Sequence, residues 1–470
     1  MLLSALLAAS MTLVQPAPAK QAPAAPLDWK GLEGPFLSGH VQLTQPEKFF
    51  KAGEAYFDHQ SPPRWVVFQG VERPERGKEA SANYAMYVAK LNYDASGNPT
   101  GIDAATRISP AGSASTCAWF DPNDPSWVYF GCTVTAPGAE GDAPGYSRDR
   151  SRYTWQFPAE MEICRASVPQ IEADLLRSGR YKDYPRVKRR WFGDARADLV
   201  RRIGLPVSSK GTPEEIADRL EGGGGETVPL EKLFSRPGYD AEGSFSPDGY
   251  SYLYTHVDPE TKDPDLYIYN VALRKHVPIV KAAGYDGGPF FSPDGKWICY
   301  RSDRKGDNNL QLFVAELKFG NDGVLAHQPL GMTREVQLTA DDQVVSWCPY
   351  WHPSMKYMVY ATSAVSHSNY EVFAIEFDPT KSREQLKRTR ITSADGFDGL
   401  PVFSDDGNLM MWTSQRGPKL DGEQKPSSQL WIARVSGEPV WAHPAPDANG
   451  TPIAPGISVY PSTPTQTPKP

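Results

Sequence analysis

Three aspartates recur in one local pattern, Gly-aromatic-Asp, in Gly238-Tyr239-Asp240, Gly284-Tyr285-Asp286 and Gly396-Phe397-Asp398. Each stands five residues before an aromatic anchor, at Phe245, Phe291 and Phe403. Two glutamates, Glu54 and Glu242, stand three residues before the anchors Phe57 and Phe245. Carboxylates repeated at a fixed offset raise the question of whether the fold gathers them. Gathered, they would bind a hard cation such as Ca²⁺, or a cationic peptide terminus. Kept apart, each Asp would bond locally within a Gly-rich turn and position only its own segment. A catalytic carboxylate is a third use. Histidines offer less, because His352 and His367 read as turn and loop residues.

A recurring hairpin must position these groups. Its clearest copy runs from Gly284 to Arg304: Phe290-Phe291, the turn Ser292-Pro293-Asp294-Gly295, then the apolar run Trp297-Ile298-Cys299-Tyr300. Proline pre-sets φ for the first turn position, and Asp-Gly supplies the tight positive-φ end. Copies are anchored at Phe57, Phe120, Phe245, Phe291, Trp351 and Phe403. A near-regular period carrying about four strands per copy is the mark of a propeller blade. The expected fold is therefore all-β, a six-bladed β-propeller of four-stranded antiparallel blades over residues 41–436. The strand entering each turn would be innermost, so Asp240, Glu242, Asp286, Asp398 and Glu54 would fall near one mouth of the central channel.

One gap between anchors, 120 to 245, is too long for a single blade. It holds a small helical insertion at 167–228, with helical spacing over Ile171–Leu176 and Asp194–Ile203. A capping box with Pro at the first helical position, Thr212-Pro213-Glu214-Glu215, supports a further helix. Residues 181–202 are locally basic, which allows a docking surface for an acidic partner. Residues 1–19 read as an export signal with a small-residue cleavage site at Ala17-Pro18-Ala19. Residues 20–40 read as a linker, and the Pro-rich stretch 437–470 as a disordered tail. No apolar run is long enough for a transmembrane segment. A net charge of −7 argues against a general nucleic-acid binder. The five cysteines contain no C-x-x-C pair, so a structural zinc site has no support. Cys117 and Cys132 flank a hairpin roughly opposite each other. They would form a disulfide in an oxidising compartment, or remain two small buried thiols.

The Phe-Ser-Pro-Asp-Gly repeat ends in Ser302-Asp303-Arg304 and Ser414-Gln415-Arg416. It is preceded by Gln42-Leu43-Thr44, Gln337-Leu338-Thr339 or Arg390-Ile391-Thr392. Together these features resemble the TolB-like, WD40-like (PD40) propeller repeat over about residues 41 to 435. The resemblance implies six blades and an exported, periplasmic or secreted protein of bacterial type. TolB itself carries an N-terminal domain before its propeller, and here the repeats begin soon after the expected mature start. No G-x-S-x-G nucleophile motif occurs. The leading expectation is a monomeric, non-catalytic binding scaffold engaging a protein, peptide or glycan at a propeller face or channel mouth. The alternative is a metal-assisted polysaccharide lyase or hydrolase using the channel-mouth carboxylates.

Overall fold

The computed structural model describes residues 27–137, 158–184, 230–321 and 328–441, with short segments between and beyond them. The turn chemistry is the same in three copies. The Asp248, Asp294 and Asp406 carboxylates each accept from the Ser hydroxyl two residues earlier at 2.6 Å, and from a backbone N–H two residues later at 3.0 Å. That Ser hydroxyl in turn accepts the first N–H of the next strand, at 3.0, 2.9 and 3.1 Å. The closing glycines, Gly249, Gly295 and Gly407, all have φ of 71°, a left-handed value that disfavours a side chain. These aspartates are therefore turn-formers.

Each turn joins an inner strand to its neighbour in a four-stranded antiparallel sheet. The inner strands are Phe49–Phe57, Ser115–Asp121, Tyr239–Phe245, Asp286–Phe291, Ser346–Trp351 and Asp398–Phe403. They touch in cyclic order, the last against the first, so six blades close around one axis. We number the blades 1 to 6 in that order. Blade 1 divides its outer edge between two short strands, Pro99–Ile102 and Thr106–Arg107. The fold is thus a six-bladed β-propeller. Neighbouring blades bury their facing apolar residues together; one cluster runs from Val402 and Met411 of blade 6 through Val66 and Phe68 of blade 1 to Val128 and Phe130 of blade 2. Burial of each such side chain is worth roughly 1.5–3 kcal/mol.

The ring is closed by a strand from the opposite end of the chain. Leu37–Gln42 pairs with Gln429–Val435 and forms the outer edge of blade 6. A short helix, Trp29–Glu33, precedes it. Glu33 anchors this segment by accepting from Arg416 Nη1 at 2.8 Å and from the Ser393 N–H at 2.7 Å, and it pairs with His40 Nε2 at 2.8 Å.

Of the expected insertion, the helix Pro169–Arg177 is present after the third strand of blade 2. It buries Ile171 and Leu175, and its Asp174 is bonded by Arg64 and Lys90 of blade 1. The expected helix at 194–203, the signal segment 1–19 and nearly all of the 437–470 tail lie outside the described residues. Among the described residues, no helix is long and apolar enough to cross a membrane.

Candidate functional site

Each inner strand slips register at one shared place. The slips lie at Gly53/Ala55, Thr116/Ala118, Ala241/Ser244, Gly287/Phe290, Trp347/Tyr350 and Gly399/Val402. Three residues before every anchor the backbone turns left-handed: Glu54 (φ 43°), Cys117 (44°), Glu242 (57°), Gly288 (57°), Cys348 (51°) and Leu400 (55°). Only one of the six is glycine, and each of the others costs about 1–2 kcal/mol in backbone strain. The β-bulge re-aims these side chains, and all six positions line one narrow chamber on the axis. The void left in it is about 20 Å³, room for a single water.

The charged groups of the chamber are internally bonded. Glu54 Oε1 accepts from the Cys117 thiol at 2.7 Å and from the Tyr56 hydroxyl at 3.0 Å. Glu242 Oε2 accepts from the Gly288 N–H at 2.6 Å, Tyr285 hydroxyl at 2.7 Å, Thr255 hydroxyl at 3.2 Å and Arg301 at 3.4 Å. Arg301 also donates to the Tyr285 hydroxyl at 2.8 Å. The glycine in blade 4 makes room for it, since a Cβ on Gly288 would lie 2.1 Å from Arg301 Nη1. Burial pushes the Glu54 carboxyl up, against the pull of Cys117 and Arg301. Burial likewise drives the Cys117 and Cys348 thiols well above their usual range.

Glu54 and Glu242 are thus brought together, and Asp240, Asp286 and Asp398 are not among the residues lining their chamber. Each of the three is buried in its own blade with its own partner. Asp240 pairs with His256 at 2.8 Å, Asp286 with Arg304 at 3.0 Å, and Asp398 with Arg416 at 2.5 Å. The Ser-x-Arg ends of the repeat are therefore the cationic partners of two of the aspartates. Desolvation still holds all three carboxyls above the ordinary aspartate range, Asp240 at about 6.

The donor set does not suit Ca²⁺. Such an ion takes six to eight oxygens, whereas Glu242 Oε2 already serves four donors and Arg301 brings a fixed positive charge. Among the described residues, no three His, Cys, Asp or Glu side chains are grouped to hold a metal. The same bulge decides between the two readings of Cys117 and Cys132 in favour of two buried thiols. Cys132 lies opposite Ser115, while Cys117 is turned into the chamber against Glu54. All five cysteines are buried and free. We therefore expect native protein treated with iodoacetamide to keep its intact mass, with five additions appearing only after unfolding. Labelling of Cys117 or Cys348 in the native state would contradict their burial in the chamber.

Along the same strands, one residue before the anchors, aromatic rings floor a second concavity. Tyr56, Trp119, Phe290 and Tyr350 pack with centroid separations of 5.1–5.8 Å between successive partners. Trp119, Phe290 and Tyr350 remain half-buried. This layer separates the chamber from a funnel of about 390 Å³ that opens on the turn side of the propeller. The funnel's rim carries the residue two after each anchor: His59, Pro122, Pro247, Pro293, Pro353 and Asp405. His59 Nδ1 lies 3.1 Å from Asp405 Oδ2, and its Nε2 lies 3.2 Å from the Phe120 carbonyl oxygen. The imidazole is held above its ordinary pKa by Asp405, against the effect of burial. Sequence reasoning missed these residues. Their signal was the repeat column itself, in which four prolines give way to His59 and Asp405 on adjoining blades.

A cyclic six-bladed propeller with a narrow axial chamber holding Glu54, Glu242 and Arg301 and a wider aromatic funnel is the class of protein defined here. The chain matches no protein-family model and no curated protein sequence. Among solved structures, it is similar to TolB from Acinetobacter baumannii, with 14% identity over 87% of this chain and 67% of that one, TM-score 0.39. It is also similar to an oligogalacturonate lyase from Vibrio parahaemolyticus, with 12% identity over 84% and 92%, TM-score 0.36. An oligogalacturonate lyase in complex with manganese aligns at 13% identity over 84% and 92%, TM-score 0.36.

Proposed function

We propose that this protein is an exported binding propeller that takes a protein segment, peptide or glycan at its axial funnel. The observation that carries the reading is the set of half-buried rings of Trp119, Phe290 and Tyr350 flooring a concavity of about 390 Å³. Ligand sites are typically concave, mostly apolar and of about 300–1,000 Å³, with a few placed polar groups. His59 and Asp405 supply such groups here. The export signal read in residues 1–19 agrees with an extracytoplasmic role. A metal-assisted lyase or hydrolase acting through Glu54 and Glu242 has less support, because those carboxylates are engaged by Arg301, Tyr285, Cys117 and Tyr56 behind the aromatic floor.

The test is a thermal-shift screen of peptides and glycans. A ligand at a hundred times its Kd should stabilise the fold by about 2.7 kcal/mol. Trp119→Ala and Tyr350→Ala should each abolish the shift while leaving the far-UV spectrum intact. A shift that survives both substitutions would place binding elsewhere and end this reading.

A further inference from the structure

We infer that the funnel's ligand is an uncharged pyranose, the end or a unit of a neutral glycan; this rests on the funnel being the binding site. Four features of the lining converge on that class. Among the described residues, no Lys or Arg contributes to the lining. A polyanionic chain, such as a uronate oligosaccharide, would therefore desolvate its carboxylates without a cationic partner. Among the described residues, the one charged feature is the His59–Asp405 pair, whose opposite charges cancel when the imidazole is protonated, so little net charge is demanded of the ligand.

The walls are also poor hosts for an extended peptide. Pro122, Pro247, Pro293 and Pro353 have no N–H to donate. The hydroxyls of Ser246, Ser292 and Ser404 are already bonded within their own turns. Peptide amides inserted between these walls would lose water without gaining partners, at a cost of about 1–3 kcal/mol each.

A pyranose has the complementary division. Its axial C–H face is apolar and stacks on aromatic and proline rings, while its hydroxyls project from the edge. Trp119, Phe290 and Tyr350 offer the platform at the funnel's base. At the rim, the Asp405 side chain is 48% exposed and can accept a hydroxyl while His59 holds its other edge. Hydrogen bonds to a charged carboxylate are stronger than neutral ones.

Saturation-transfer NMR and calorimetry on the full chain test this with gluco-, manno-, galacto- and N-acetylglucosamine-configured disaccharides, beside digalacturonate and a proline-rich peptide. At least one neutral disaccharide should bind with a Kd of about 1 mM or tighter. Digalacturonate should bind at least about tenfold more weakly, and Asp405→Asn should weaken the neutral sugar by about tenfold at unchanged melting temperature. Silence across all the neutral sugars overturns the inference, as does digalacturonate binding equally well. If the peptide binds and Trp119→Ala abolishes it while the sugars stay silent, the sugar assignment falls and the funnel reading stands. If a sugar binds but is indifferent to Trp119→Ala, Tyr350→Ala and Asp405→Asn, both fall.

Discussion

Arg416→Ala is expected to destabilise the protein by about 3–5 kcal/mol, the usual consequence of removing one partner from a buried ion pair. The Arg416 side chain is fully buried, as is that of Glu33. It joins Glu33 at 2.8 Å to Asp398 at 2.5 Å and receives support from the Ser414 hydroxyl at 2.9 Å. Three tryptophans flank its guanidinium, with centroids at 4.4 Å (Trp29), 5.0 Å (Trp412) and 5.8 Å (Trp431). Alanine would strand two carboxylates in an apolar box and loosen the segment that completes blade 6. Equilibrium urea unfolding measures the loss. A change below about 1 kcal/mol, typical of a surface pair, would mean that the latch does not hold the ring closed. Arg416→Lys should recover only part, since an ammonium cannot bridge two carboxylates with the planar guanidinium fork.

Arg301→Met should have an effect of similar size, with a distinct dependence on pH. Arg301 is 7% exposed and lies between the Glu242 carboxylate and the Tyr285 ring. Without it the chamber keeps two carboxyl groups and no cation. Glu54 already has a raised carboxyl pKa through burial, with Arg301 pulling it down. A carboxyl whose pKa is higher folded than unfolded binds more protons when folded, so its contribution to stability falls as pH rises through that window. Removing Arg301 raises Glu54 further and widens the window upward. The variant should therefore lose about 3–5 kcal/mol at pH 7 and recover part of it at pH 5. Glu242→Gln in the Arg301→Met background should restore stability at pH 7. Equal deficits at both pH values would show that Arg301 acts by packing alone.

Much of the architecture was legible because a blade is a local object. The Ser-Pro-Asp-Gly turns and the aromatic anchors repeat within single hairpins, and turn type and strand pattern follow from residues a few positions apart. The aspartates were legible as a pattern, but their partners were not. Asp286 faces Ser302, and Asp398 faces Ser414, only because of the strand register. That register carries each Ser-x-Arg end back to the Asp. Arg301 gave no signal in sequence, since its place on the axis depends on the missing side chain at Gly288.

The bulge was the main thing hidden. Residue type predicts poorly that Glu54, Cys117, Glu242, Cys348 and Leu400 adopt left-handed backbone, because none is a residue that favours it. The shared bulge separates Cys117 from Cys132 and turns Glu54 and Glu242 inward. It also leaves Asp240, Asp286 and Asp398 within their own blades.

By itself, the sequence determined six blades, their turns and the all-β character, because these depend on short-range propensity and hydrophobic period. The tertiary structure decided the rest. It seated Leu37–Gln42 in the last blade and selected which two of five carboxylates meet on the axis. It also placed His59 beside Asp405, 346 residues further along the chain. The physical reason is cyclic closure: each blade contributes one residue per layer, and the layer's chemistry exists only when all six meet at the axis.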